Sequence, residues 1–243
     1  MSGAGAEAGT AAEGFVFDRS VAAQIVRYGR MVVARGYIHN TLGNIAIRVP
    51  CPGHPHGVAY TKPSRMSLEE VEVDDIVVTD IPTGRLIHGT LPTNVGHHLN
   101  REMFRLRDDI NAVIHIHHDE TLAWMASRRD HQIETLSLEY PYVMAKPPYF
   151  VPAHLDVEQD VGPLKEFIHR TNAVVMLRHG MTTLGRDVSE AYHRLNTLTS
   201  EIRRNILVEQ LCRLRGTTPD LISAQDIEWM YGQAEKVIYP HTS

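Results

Sequence analysis

Cysteine is scarce: Cys51 and Cys212 are the two in 243 residues. Two distant cysteines make no disulfide framework, so free thiols in a reducing compartment are expected. Long apolar runs are missing as well. No stretch approaches the roughly 18 consecutive apolar residues of a membrane helix, so no span is expected. Basic charge is not in excess either, the formal net charge being −5. A nucleic-acid partner needs a clustered basic face, and the short basic stretches Arg203-Arg204 and Arg213/Arg215 read as the solvated side of a helix. The first fourteen residues, MSGAGAEAGTAAEG, lack the basic start and apolar core of a leader peptide. They are expected to form a disordered tail (residues 1–14) ahead of one domain (15–243), in a cytoplasmic protein.

What remains is an ordinary globular composition, 43% hydrophobic and 22% charged, in a chain long enough to bury its own core. Apolar residues at helical spacing (Val21, Ile25, Tyr28, Val32) predict a helix over 17–35, with Asp18 or Ser20 as its cap and Gly36 as its stop. Alternation predicts a strand at 45–49, and further strands are expected at 58–61, 76–79, 111–117 and 173–177. CPGHPHG (51–57) reads as a turn or loop by its Pro and Gly content, with His54 and His56 exposed. Helices are expected over 97–107, 119–127, 159–171, about 188–214 and about 224–236. Several strands follow one another without helices between them. That favours an α/β fold whose sheet has antiparallel parts.

Histidine is abundant, with fifteen copies. His115 and His117 stand two apart on a strand, so both rings leave the same face while Ile116 enters the other layer. By itself His-x-His is weak in so histidine-rich a chain. His179 follows another strand and precedes Gly180, at a sheet end where loops build sites. Three neutral imidazoles would hold zinc, iron, manganese or cobalt with positions left open for substrate.

Gly43-Asn44, Asp75-Ile76-Val77-Val78, Asn111-Ala112-Val113-Ile114-His115-Ile116-His117 and Arg178-His179-Gly180 occur in that order. The pattern, over about residues 20–210, resembles the class II aldolase and adducin family. The resemblance implies a class II aldolase-like α/β/α sandwich around a mostly antiparallel, nine-stranded sheet. It also implies a homotetramer, and a divalent metal on His115, His117 and His179.

Two departures stand out. Family aldolases carry Ser-Ser-Glu, and related epimerases Ser-Ser-Asp, nineteen residues before the first metal histidine. Here that position is Gly96, within Pro92-Thr93-Asn94-Val95-Gly96-His97-His98. The phosphate loop of the family, Thr-Pro-Ser-Gly, is replaced by Thr61-Lys62-Pro63-Ser64-Arg65, and its serines by Thr93 and Asn94. Glycine frees the backbone amides that wrap a phosphate. Asn44 is kept, while Lys62 and Arg65 remain able to hold a carboxylate or a phosphate.

Loss of the acid and of the phosphate cradle favours other chemistry on the same metal. An offshoot resembling this pattern, at Asn40-Thr41-Leu42-Gly43-Asn44 also, is the non-haem iron oxygenases of aminocoumarin antibiotic biosynthesis. The expectation is therefore an Fe(II) dioxygenase, an oxidoreductase. Its substrates would be O2 and an aromatic 2-oxo acid of the prenylated 4-hydroxyphenylpyruvate type, decarboxylated to a benzoate. The alternative is a metal-dependent lyase, an aldolase or aromatic-acid decarboxylase using Zn or Mn. A non-catalytic module of the adducin type would not need all three histidines.

Other residues have two readings each. His97 and His98 are the candidates to replace the missing acid, or else mark a solvated helix start. Tyr142, with Tyr140 and Tyr149, lines an aromatic pocket or packs a proline-rich loop. His118 faces away from His117 and belongs to the core or to the support of the metal pair. Tyr231 and Tyr239 lie in a C-terminal region that reaches a neighbouring site in family aldolases.

Overall fold

The computed structural model describes residues 15–94, 96–127 and 132–237. The predicted tail (1–14), Val95 and Tyr239 lie outside them. The first helix, α1 (Arg19–Ala34), starts where Asp18 accepts the backbone N–H of Ser20 at 2.8 Å, a cap worth about 1 kcal/mol. It buries Val21, Ile25 and Val32, as the spacing predicts.

Strands β1 (Asn44–Cys51), β2 (His54–Thr61), β3 (Val77–Asp80) and β4 (Leu86–His88) follow as a meander. Next come α2 (His97–Leu106), β5 (Ala112–Ile116), α3 (Asp119–Ser127), α4 (Glu139–Met144) and β6 (Tyr149–Val151). The chain closes with β7 (Ala173–Met176), β8 (Gly180–Gly185), α5 (Val188–Arg215) and α6 (Ala224–Val237). Among the described residues the sheet has eight strands, where the resemblance implied nine. Their order is β4-β3-β2-β1-β5-β8-β7-β6. Every pair is antiparallel except β6 with β7, as the run of strands without crossover helices demands.

Strand alternation divides the core between two layers. Ile45, Ile47, Ile114 and Ile116 face α1, α3 and α5. Ala46, Ala59 and Val113 face Leu99, Met103 and Phe104 of α2. His115 therefore shares the α2 face with Val113. Helices on both sides of one sheet make the expected sandwich.

Three local expectations are corrected. Within residues 51–57 the turn is confined to Pro52-Gly53: Cys51 already pairs with His54 across it, and His54 is not exposed, its Nδ1 meeting Asp80 Oδ1 at 2.7 Å with the side chain 8% exposed. Residues 159–171 form two short 3-10 turns, Gly162–Glu166 and Ile168–Arg170, not an α-helix. Pro163 at the start brings no N–H, and Phe167 N donates to Leu164 O three residues back. The proline-rich stretch that carries Tyr140, Tyr142 and Tyr149 is not loop throughout, since Tyr140 and Tyr142 lie on the short helix α4.

Candidate metal centre

β5 delivers His115 at its penultimate residue and His117 just beyond its end. The β7–β8 hairpin delivers His179 at its turn, where Arg178 takes φ +62°. Gly180 lets this hairpin close on β5. A Cβ there would lie 2.2 Å from Ile116 O and 3.2 Å from His115 Cε1, so any other residue pushes His179 away.

One ring nitrogen from each histidine lies within 4.8 Å of the other two. Nε2 of His115 and of His117 are 2.9 Å apart. His115 is 3% exposed, and its Nδ1 meets Thr182 Oγ1 at 2.9 Å on the neighbouring strand. That partner fixes the ring and leaves Nε2 as the lone-pair donor. Burial, reinforced by His117 and His179, holds His115 well below its ordinary pKa. Burial, with His179 and His39, draws His117 down to about 4. Neutral imidazole is the ligand form, so the donor set fits a divalent metal.

A carboxylate that sequence reasoning passed over stands beside the triad. Glu158, in the loop after β6, places Oε2 at 3.4 Å from His179 Nε2 and Oε1 at 3.9 Å from His115 Nε2. Burial raises its pKa, and His179 opposes that. The signal in sequence was slight: an apolar Val157 between Asp156 and Glu158 in a polar loop. Val157, 1% exposed, is the anchor that turns its neighbour inward.

The other predicted site residues divide. Asn44 pairs in register with His115, is 2% exposed, and accepts from Asn100 Nδ2 at 2.5 Å. Thr93 and Asn94, both partly buried, lie beside the 61–65 loop through the Pro63–Thr93 bridge. Among the described residues, Asn94 Oδ1 and Asn100 Oδ1 are buried without hydrogen-bond partners. Arg65 is exposed on the same loop at φ +67°.

Lys62 does not offer a free cation. It is fully buried, and its Nζ donates to Thr41 O at 3.0 Å and Met66 O at 2.7 Å. Burial draws it down to about 8. His97 is no stand-in for the acid: it is 1% exposed, hydrogen-bonds Thr79 Oγ1 at 2.7 Å, and is drawn by burial to about 3. His98 points to solvent as an exposed residue on α2. Tyr142 sits half-buried on α4, which packs on α5 and α6, across the sheet from α2. Tyr140 is buried in that same layer, and Tyr149 stacks on Phe167 at 4.0 Å. His118, 7% exposed, bonds Thr121 Oγ1 at 2.9 Å and belongs to the support of α3.

Residues 23–204 match the model of the Class II Aldolase and Adducin N-terminal domain. An L-fuculose phosphate aldolase of Methanococcus maripaludis is 26% identical over 191 residues, 77% of this chain and 97% of that protein. The structure of an L-fuculose 1-phosphate aldolase superposes with a TM-score of 0.72 at 18% identity, over 90% of this chain and 97% of the other. An L-fuculose 1-phosphate aldolase from Glaciozyma antarctica gives 0.71 at 15% identity, over 88% and 81%.

These names overturn the oxidoreductase expectation. The matched relatives are called aldolases, which are lyases, so the dioxygenase, its O2 and Fe(II), and the antibiotic-biosynthesis assignment lose their support. The expectation rested on a site without a carboxylate, and Glu158 removes that premise. With the sheet order, the histidine triad and a family match over most of its length in agreement, the chain belongs to the class II aldolase and adducin N-terminal domain family.

Proposed function

We propose that the protein is a metal-dependent lyase that cleaves a carbon–carbon bond of a small hydroxylated carbonyl compound, with zinc on His115, His117 and His179. The convergence of three ring nitrogens within 4.8 Å carries this reading. Family membership and the aldolase names of the relatives support it. A divalent metal there would polarise the substrate carbonyl and spread the charge that develops as the bond breaks.

The chain's own residues do the rest. Thr182 holds the His115 ring, and Gly180 keeps the hairpin close enough for His179 to complete the set. Asn94 and Asn100, before and within the first turn of α2, present amide oxygens that would accept from substrate hydroxyls, and Asn44 at the start of β1 holds the Asn100 amide. Arg65 stands exposed on the adjoining loop to meet an anionic end. Because that loop has no glycine and its lysine is engaged, the anion is held by side chains more than by a backbone cradle. The assembly we propose is a homotetramer. Leu207, Leu211 and Leu214, exposed at successive turns of α5, support a covered helix face.

The test is a substrate comparison. Zinc-loaded protein is given L-fuculose 1-phosphate, its unphosphorylated parent and a carboxylate-ended analogue, and carbonyl products are measured. Cleavage of at least one anionic substrate is expected, weakened by Arg65→Ala mainly through KM. Absence of any carbonyl product from metal-replete protein would count against the reading.

A further inference from the structure

Position 96 is empty of side chain for a reason visible nearby. Gly96 has φ −62°, an ordinary right-handed conformation that any residue accepts. Its backbone does not require glycine. The obstacle is spatial: a Cβ on Gly96 would lie 2.6 Å from Glu158 Oε1 and 3.2 Å from Asn44 Nδ2. The volume into which a side chain at the start of α2 would project is already filled by a carboxylate arriving from the loop after β6.

That carboxylate is held in place. Asp156 Oδ1 accepts the backbone N–H groups of Glu158 at 3.1 Å and Gln159 at 3.3 Å, which fixes the turn. Val157 anchors the loop in the α2-side core. Glu158 is then aimed inward, its side chain 14% exposed. Its oxygens lie 3.4 Å from His179 Nε2 and 3.9 Å from His115 Nε2. Donors that share one tetrahedral ion at about 2.1 Å are about 3.4 Å from each other. Both distances are near that spacing, each from a different carboxylate oxygen, so the carboxylate stands against the His115–His179 side of the triad, and a small rotation would bring one oxygen onto a shared ion.

We propose that Glu158 supplies the site's carboxylate from the opposite side, taking the space a residue at position 96 would fill and closing on the metal as its fourth protein ligand. The inference rests on the triad being the metal site, as set out above. It is independent of which substrate is cleaved.

The test reads metal binding rather than turnover. Zinc affinity is measured by competition with a chromophoric chelator, and coordination by the visible spectrum of the Co(II)-loaded protein. Glu158→Gln, nearly isosteric, is expected to weaken zinc on the order of 10–100-fold and to change the Co(II) spectrum. Gly96→Ala, which displaces the carboxylate without touching a ligand, is expected to shift both in the same direction. In the double variant Glu158→Ala/Gly96→Glu, a carboxylate launched from the start of α2 regains the volume, and affinity is expected to recover relative to Glu158→Ala. Unchanged zinc affinity and an unchanged Co(II) spectrum in folded Glu158→Gln would overturn the proposal, whatever happened to catalysis. If instead these shifts appear but wild-type protein cleaves nothing, the lyase reading fails and Glu158 keeps its place on the metal.

Discussion

Asn44 and His115 face each other across the antiparallel β1–β5 ladder, the first residue of one strand opposite the last but one of the other. Seventy-one positions of chain separate them, yet the register sets them at the same height of the sheet. Gly43, at φ +68°, makes the approach possible, since a Cβ there would meet His115 O at 2.8 Å. The Gly-Asn signature and the His-x-His signature are therefore two halves of one construction. The ladder also fixes what sits behind His115, because its other neighbour is Thr182 of β8.

Thr182→Val removes the hydroxyl that holds His115 Nδ1 while keeping the shape of the side chain. Metal affinity is expected to fall about 10–100-fold, the usual cost of losing a histidine's outer partner. Chelator competition measures it, and a change below twofold would mean the ring is oriented by packing alone.

Lys62 tests the boundary between site and scaffold. Its ammonium joins Thr41 O and Met66 O beneath the loop that follows β2. Lys62→Ala leaves two carbonyls unpaired and a cavity where the stem was. A loss of about 2–4 kcal/mol in denaturant unfolding is expected, while KM for an anionic substrate moves little in the protein that remains folded. A raised KM at unchanged stability would restore the lysine to the substrate.

His97 gives a pH dependence with a definite sign. Its folded-state pKa of about 3 lies below the ordinary value of 6.5 because burial excludes the charged form. The unfolded chain takes up a proton between those values and the folded chain does not. Stability is therefore full above about pH 6.5 and declines as pH falls towards 3, by up to about 1.4 kcal/mol per pH unit from this group. In metal-free protein His97→Gln should flatten the stability profile across that window. Parallel profiles for the two proteins would refute a buried neutral His97.

Assembly is checked by light scattering at micromolar concentration. A tetramer is expected for the wild type. Leu211→Glu, on the exposed apolar end of α5, is expected to shift it toward smaller species. A wild-type monomer would remove the tetramer from the account.

Periodicity made much of this fold legible. α1, α2, α3, α5, α6 and the long strands follow alternation or helical spacing, because each buries one face against a neighbour. The short elements α4, β4 and β6, with three to six residues each, carry too little pattern to be read. The triad was legible because two of its histidines share a strand face and the third ends a hairpin. Glu158 was not: loop residues have no period, and its inward direction is set by Val157 and Asp156 packing against distant chain. Lys62 was misread for a related reason. A lysine in a proline-rich loop suggests exposure, but this one directly follows Thr61, the last residue of β2, and goes under the loop instead of over it.

The most direct test of the central claim is product analysis in sealed vessels under nitrogen and under air. Zinc-replete protein, metal-stripped protein and His117→Ala are each given L-fuculose 1-phosphate and related β-hydroxycarbonyl compounds. Two carbonyl fragments are expected for each substrate consumed, in proportion to bound metal, at equal rates with and without oxygen, and lost in His117→Ala. Turnover that requires O2, or that survives removal of the metal, would contradict that claim.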